Sequence, residues 1–152
     1  MSKTIKRRQS HKGGKNAEKI AYLEQYYEAK NLEQRLSEGI DNLCSTSMQA
    51  KSPKYDGMPH SHDTERDLSD LMAKLDREFS RLFKQQKKAI EIRQDIEKSI
   101  NALEKEMERM VLWLRYIKFY SWEKVAVELN YDFRYILKLH GVALEHFKIK
   151  GR

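Results

Sequence analysis

Arg134 and Lys138 stand one helical turn apart, and Gly141 and Glu145 follow at the same angular position. On a helix these four share one outward face. Arginine carries a planar fork of donors that matches the O6 and N7 acceptors of guanine, and lysine can reach either a base or a phosphate. Gly141 bears no side chain and leaves room for another backbone to come close. Phe133, Tyr135 and Lys124 complete the set expected to touch DNA. The chemistry is recognition of a duplex. No glycine-rich phosphate loop, Cys/His metal cluster or nucleophile with a placed base occurs in the chain, so no enzyme is expected.

Those residues have to be positioned by Ser121 to Phe147, SWEKVAVELNYDFRYILKLHGVALEHF. Ser121 can cap a first short helix, with Glu123 favourable in its first turn. Val125, Ala126 and Leu129 give that helix one apolar face, and small Ala126 lets a second helix cross closely. Asn130 suits the left-handed residue that ends a helix, and Asp132 can cap the next one. Ile136, Leu139, Ala143 and Phe147 form the inward stripe of that second helix. The pattern is helix-turn-helix, in which the second helix lies in the major groove and its first turn, here with Arg134, points at base edges.

The stretch LRYIKFYSWEKVAVELNYDFRYILKLHGVALEHF resembles region 4 of bacterial sigma factors, where an LRY-containing helix precedes the helix-turn-helix. It is similar, more closely, to small sigma-region-4-like proteins of phages and prophages of low-GC Gram-positive bacteria, which resemble late-gene transcriptional regulators. Residues matching the pattern of those proteins are Ser52 to His60, Arg115 to Ile117, Trp122 with Glu123, and Leu139 to Leu144, within a resemblance covering about Ile20 to Phe147. One departure is Asp132, where such proteins often carry Ser. The resemblance implies a DNA-binding regulator acting with the host RNA polymerase, and a genuine loop at SPKYDGMPHSH. It also implies that part of the aromatic group Trp113, Tyr116, Phe119, Tyr120 and Trp122 docks on polymerase, although three short helices need most of these rings for their core.

Charge is unevenly placed along the 152 residues. Residues 1–15 hold six Lys or Arg and no acid, residues 16–110 hold 16 basic against 19 acidic, and residues 111–152 hold eight against four. The formal charge of +7 therefore sits at the two ends, which favours a nucleic-acid partner. Met1 to Lys15 is a polar, basic arm expected to be disordered, with Lys6, Arg7, Arg8 and Lys12 adding salt-dependent phosphate contacts. It lacks the apolar core of a secretory signal, and no apolar run is long enough to span a membrane. The single Cys44 excludes an internal disulfide. A cytoplasmic protein of a bacterial host cell is expected, without cofactor or metal; His60, His62 and Asp63 suggest a metal only weakly, because no recognised ligand spacing accompanies them.

Composition points to long helices, with 35% charged and 39% hydrophobic residues. A first helix is expected from about Asn16 to Leu43, with Ile20, Leu23, Tyr27, Leu32, Leu36, Ile40 and Leu43 as its apolar stripe, and a loop over 45–62. Asp63 or Thr64 would cap the second helix. Its seam is expected at 68, 75, 82, 89, 96, 103 and 110 and four residues after each, from Met72 and Phe79 to Met107 and Leu114, with polar layers at Gln86 and Arg93. The first helix is too short to cover this seam. The part from Ile96 to Met110 would pack on a second copy of the protein or on the sigma-like domain.

The expectation is thus an all-α chain: an arm at 1–15, a long antiparallel helical hairpin over 16–104 with a loop at 45–62, and a sigma-region-4-like helix-turn-helix domain over 105–152. The expected function is sequence-specific transcriptional regulation from phage or prophage genes. The expected partners are double-stranded DNA, host RNA polymerase and a second copy of the chain, with no membrane. The alternatives are a DNA-packaging or assembly protein, a helical interaction protein, and an inhibitor that occupies the sigma-binding surface of polymerase.

Overall fold

The computed structural model describes Gly14 and residues 16–49 and 63–149. Every regular element among these residues is helical, so the chain is all-α as its composition suggests. The order is α1 (Ala17–Gln49), α2 (Asp63–Asn101), α3 (Glu106–Leu112), a π-helical turn (Trp113–Ile117), α4 (Trp122–Leu129) and α5 (Phe133–His146). No helix among the described residues is long and apolar enough to cross a membrane. Two compact units emerge, one made of Met1–Gln25 with Asp95–Arg152 and the other of Tyr26–Gln94. The interruption around residue 104, expected as a domain boundary, lies inside the first unit.

In the Tyr26–Gln94 unit, α1 buries Tyr26, Ala29 and Ile40, and α2 buries Ala89. Three expectations are corrected here. The helix does not give way to a loop at 45, because α1 continues to Gln49. Within it Ser45 and Thr46 donate their hydroxyls to the carbonyls of Asp41 and Asn42, both at 2.8 Å. Leu32 is exposed and leaves the inward stripe; half-buried Glu33 lies on the inward side instead and pairs with Lys30 at 2.7 Å.

The third correction concerns the seam of α2. Its 75, 82 and 89 positions do lie inward, but the companions come three residues later, at Glu78, Gln85 and Ile92. The expected companions Met72, Phe79, Gln86 and Arg93 are exposed. The inward polar residue is Gln85, whose amide donates to the carbonyl of Ala29 at 3.0 Å. A period of seven fits both registers, and one helix carries apolar residues for two stripes about 120° apart. A single partner helix can cover only one of them.

In the other unit, α2 stops at Asn101 without Gly or Pro. The chain turns with Leu103 N–H donating to Ile100 C=O at 3.0 Å, and Arg109 Nη1 donates back to Leu103 C=O at 2.8 Å. Ile96, Ile100 and Leu103 are buried in the same chain. Of the two coverings expected for this stretch, a second copy or the C-terminal domain, burial within the chain removes the need for the second copy at Ile100 and Leu103, and the turn breaks the seam before Met107. The core beyond is Val111, Leu114, Val125, Ala126 and Ile136, with Trp113, Tyr120, Trp122, Leu129 and Leu139 packed against it.

Candidate nucleic-acid interface

The residues expected to touch DNA are held by α4, α5 and the turn between them. Ser121 Oγ accepts from Lys124 N–H at 3.2 Å, capping α4. Asn130 ends α4 in the left-handed region, at φ 55° and ψ 44°, with its N–H bonded to the Val127 carbonyl. Asp132 then caps α5, with Oδ2 accepting from Arg134 N–H at 2.9 Å. Each of these local signals is satisfied by the atoms that the sequence offers for it.

The inward side of α5 buries Ile136, Ala143 and Leu144, and Phe147 beyond its end is fully enclosed. Arg134, Lys138, Phe133 and Tyr135 are exposed on α5, as is Lys124 on α4, while Gly141 is half-buried. No described residue lies within 4 Å of where a Gly141 side chain would begin, so packing inside the protein does not require glycine there. Lys124 Nζ rests 3.7 Å above the Tyr120 ring. Among the described residues, the side chains of Arg134 and Lys138 make no ion pair, leaving both cations for another molecule. Tyr131, in the turn, stacks on Tyr135 with ring centroids 4.9 Å apart. Nothing in the sequence alone singles out Tyr131. The i, i+4 spacing of the two tyrosines was its one available signal, masked because the turn separates them.

The support under this surface is polar and aromatic. Arg115 is buried, donates to Tyr120 C=O at 2.8 Å and lies 4.3 Å over the Trp122 ring. His140 meets Trp122 edge-on at 4.6 Å and shares a 2.9 Å hydrogen bond with the Tyr116 hydroxyl. Burial, and then the Arg115 charge, push the His140 pKa from the ordinary 6.5 down to about 4, so the ring is neutral. The π-helical turn delivers Arg115 and Tyr116 together into this layer, and Phe119 closes it at φ 58°. At the far end of α5, Lys19 of α1 donates to the carbonyls of Leu144 at 2.6 Å and Glu145 at 3.2 Å, completing groups that a helix end leaves open.

The arm residues Lys6, Arg7, Arg8 and Lys12, the loop from 50 to 62 with His60 and His62, and the side chains of Asp63 and Thr64 lie outside the described residues. Among the described residues no three His, Cys, Asp or Glu side chains gather as a metal site. No family model, no curated protein and no solved structure matches this chain.

Proposed function

We propose that the chain is a sequence-specific DNA-binding transcriptional regulator of the sigma-region-4-like kind, phage or prophage encoded and acting with the host RNA polymerase. In this reading α4 and α5 form a helix-turn-helix, and α1 and α2 form a long antiparallel helical hairpin. One observation carries it: the capped first turn of α5 holds Arg134 outward with no partner among the described residues, and Lys138 repeats the arrangement one turn on. A helix entering the major groove presents its first turns to base edges in this way. Gly141 adds support. A mid-helix glycine weakens a helix by about 1 kcal/mol relative to alanine, and no packing among the described residues calls for it. Close approach of a duplex would explain it.

The test is selection from random duplexes by the full chain at fixed salt, followed by Arg134→Ala on the winning sequence. The variant should keep its helicity and lose about 1–3 kcal/mol of binding to that sequence, with little change on unrelated DNA. No enrichment of any sequence would end the proposal.

A second reading is favoured by Val127, Leu137 and Val142, apolar and exposed around the same cations. Such a surface suits a protein partner, and the chain would then dock on polymerase at the sigma-binding surface as an inhibitor. Co-purification with polymerase without any DNA affinity distinguishes that case.

A further inference from the structure

The α2 stripe that α1 leaves uncovered has its own order. Met72, Phe79, Phe83 and Ile90 are 63%, 53%, 71% and 56% exposed. They follow one another at intervals of seven, four and seven residues, the spacing of a coiled-coil seam. Isolated exposed apolar residues need no explanation, but four in heptad register on one face do. We infer that this stripe is the seam of an antiparallel homodimer, in which α2 pairs with α2 of a second copy about a two-fold axis at the level of Arg81.

The spacing is symmetric about that residue. A two-fold axis there brings Phe79 opposite Phe83, Met72 opposite Ile90, and Asp76 opposite Gln86, so each apolar group meets an apolar group. Ala73 and Ser80, beside the seam, are small enough to let two backbones approach.

Charge selects the same partner and the same direction. Within about 60° of the stripe's centre on the helix, the first half carries the acid Asp76. Within the same angle the second half carries the bases Lys87 and Arg93. An antiparallel pair lays the acidic half over the basic half twice, whereas a parallel pair lays like on like. An anionic membrane surface would attract only one half. The inference stands on the Tyr26–Gln94 unit alone and is independent of the DNA-binding reading.

Sedimentation equilibrium of the full chain at micromolar concentration should show dimers. Phe79→Glu with Phe83→Glu should give monomers of unchanged circular dichroism, raising the dissociation constant about 100-fold or more. Both sites are exposed in the single chain, and Glu is a good helix former. Direction is read separately by cysteine pairs on a Cys44→Ala background. Met72→Cys with Ile90→Cys should cross-link between chains under mild oxidation. Met72→Cys alone should not, because the two copies of that position would lie about 27 Å apart in an antiparallel pair. A monomeric wild type, dimers that survive the double Glu substitution, or cross-linking by Met72→Cys alone would each overturn the inference.

Discussion

Glu108 Oε2 lies 2.8 Å from His146 Nδ1, joining the first turn of α3 to the last turn of α5 across 38 residues. Glu108 is buried, and its Oε1 stands 3.3 Å from Lys105 Nζ, within ion-pair distance but without hydrogen-bond alignment. Burial pushes the carboxyl pKa up. The His146 hydrogen bond and Lys105 pull it down further, so it is held below its ordinary value. An ionised carboxylate can only accept, so Nδ1 carries the proton and donates.

Removing the donor is therefore worse than removing the charge. His146→Ala strands a buried carboxylate oxygen and should lower stability by about 1–3 kcal/mol in denaturant unfolding at neutral pH. Glu108→Gln keeps an acceptor for the same N–H and should cost less. Equal stability of His146→Ala and wild type would show that the pair does not hold α3 to α5.

Acid should weaken the fold in two separable windows. The folded pKa of His140 is depressed to about 4, so the unfolded chain binds its proton first as pH falls below the ordinary 6.5. Stability should drop by about 1 kcal/mol per pH unit between those values. Glu108 acts in the same direction but lower: its contribution is present above the ordinary 4.5 and is lost as pH falls through the depressed folded value. His140→Gln should flatten the upper part of the profile while leaving the lower part. Thermal unfolding from pH 7 to well below 4.5 measures both, and an unchanged upper slope in the variant would remove His140 as its cause.

The region around the turn was legible because its signals are local. Ser121, Asn130 and Asp132 each act on a backbone group within four residues, and each does so in the fold. The end of α2 was not legible. No Gly or Pro marks Asn101, and the helix stops because Leu103 is buried and Arg109 Nη1 takes its carbonyl. Nor was the choice between the two stripes of α2, since Glu78 and Gln85 look no more inward than Gln86 until α1 is placed against them. Lys19 reaching the carbonyl of Leu144 spans 125 residues, and in the sequence it is one lysine among many on a polar helix. Of the candidate site, the sequence gives Arg134 and Lys138 on an outward face but not the stacking of Tyr131 on Tyr135.

Asn130 offers a direct check on the turn. Its φ of 55° suits Asn and Gly but crowds the Cβ of other residues. Asn130→Ala should lower stability by about 1 kcal/mol, and Asn130→Gly should be close to neutral. Denaturation midpoints of the two variants give the comparison; an Ala variant as stable as the Gly variant would mean that the turn has rearranged.

Asp132 separates folding from binding. Its Oδ2 accepts the Arg134 N–H at 2.9 Å, so the side chain is a cap, yet its charge stands beside the turn of α5 proposed to enter DNA. A carboxylate there repels phosphates while Arg134 is meant to approach bases. Asp132→Ser keeps a hydroxyl that caps about as well and removes the charge. Its stability should stay within about 0.5 kcal/mol of wild type, while affinity for the selected duplex rises several-fold at low salt and less at high salt, where the repulsion is screened. Asp132→Ala removes charge and cap together, and should lose about 1 kcal/mol of stability. Fluorescence anisotropy over a salt series, beside denaturant unfolding, reads the two effects separately. A serine variant that binds no more tightly at any salt concentration would place Asp132 away from the phosphates and move the proposed groove contact off the first turn of α5.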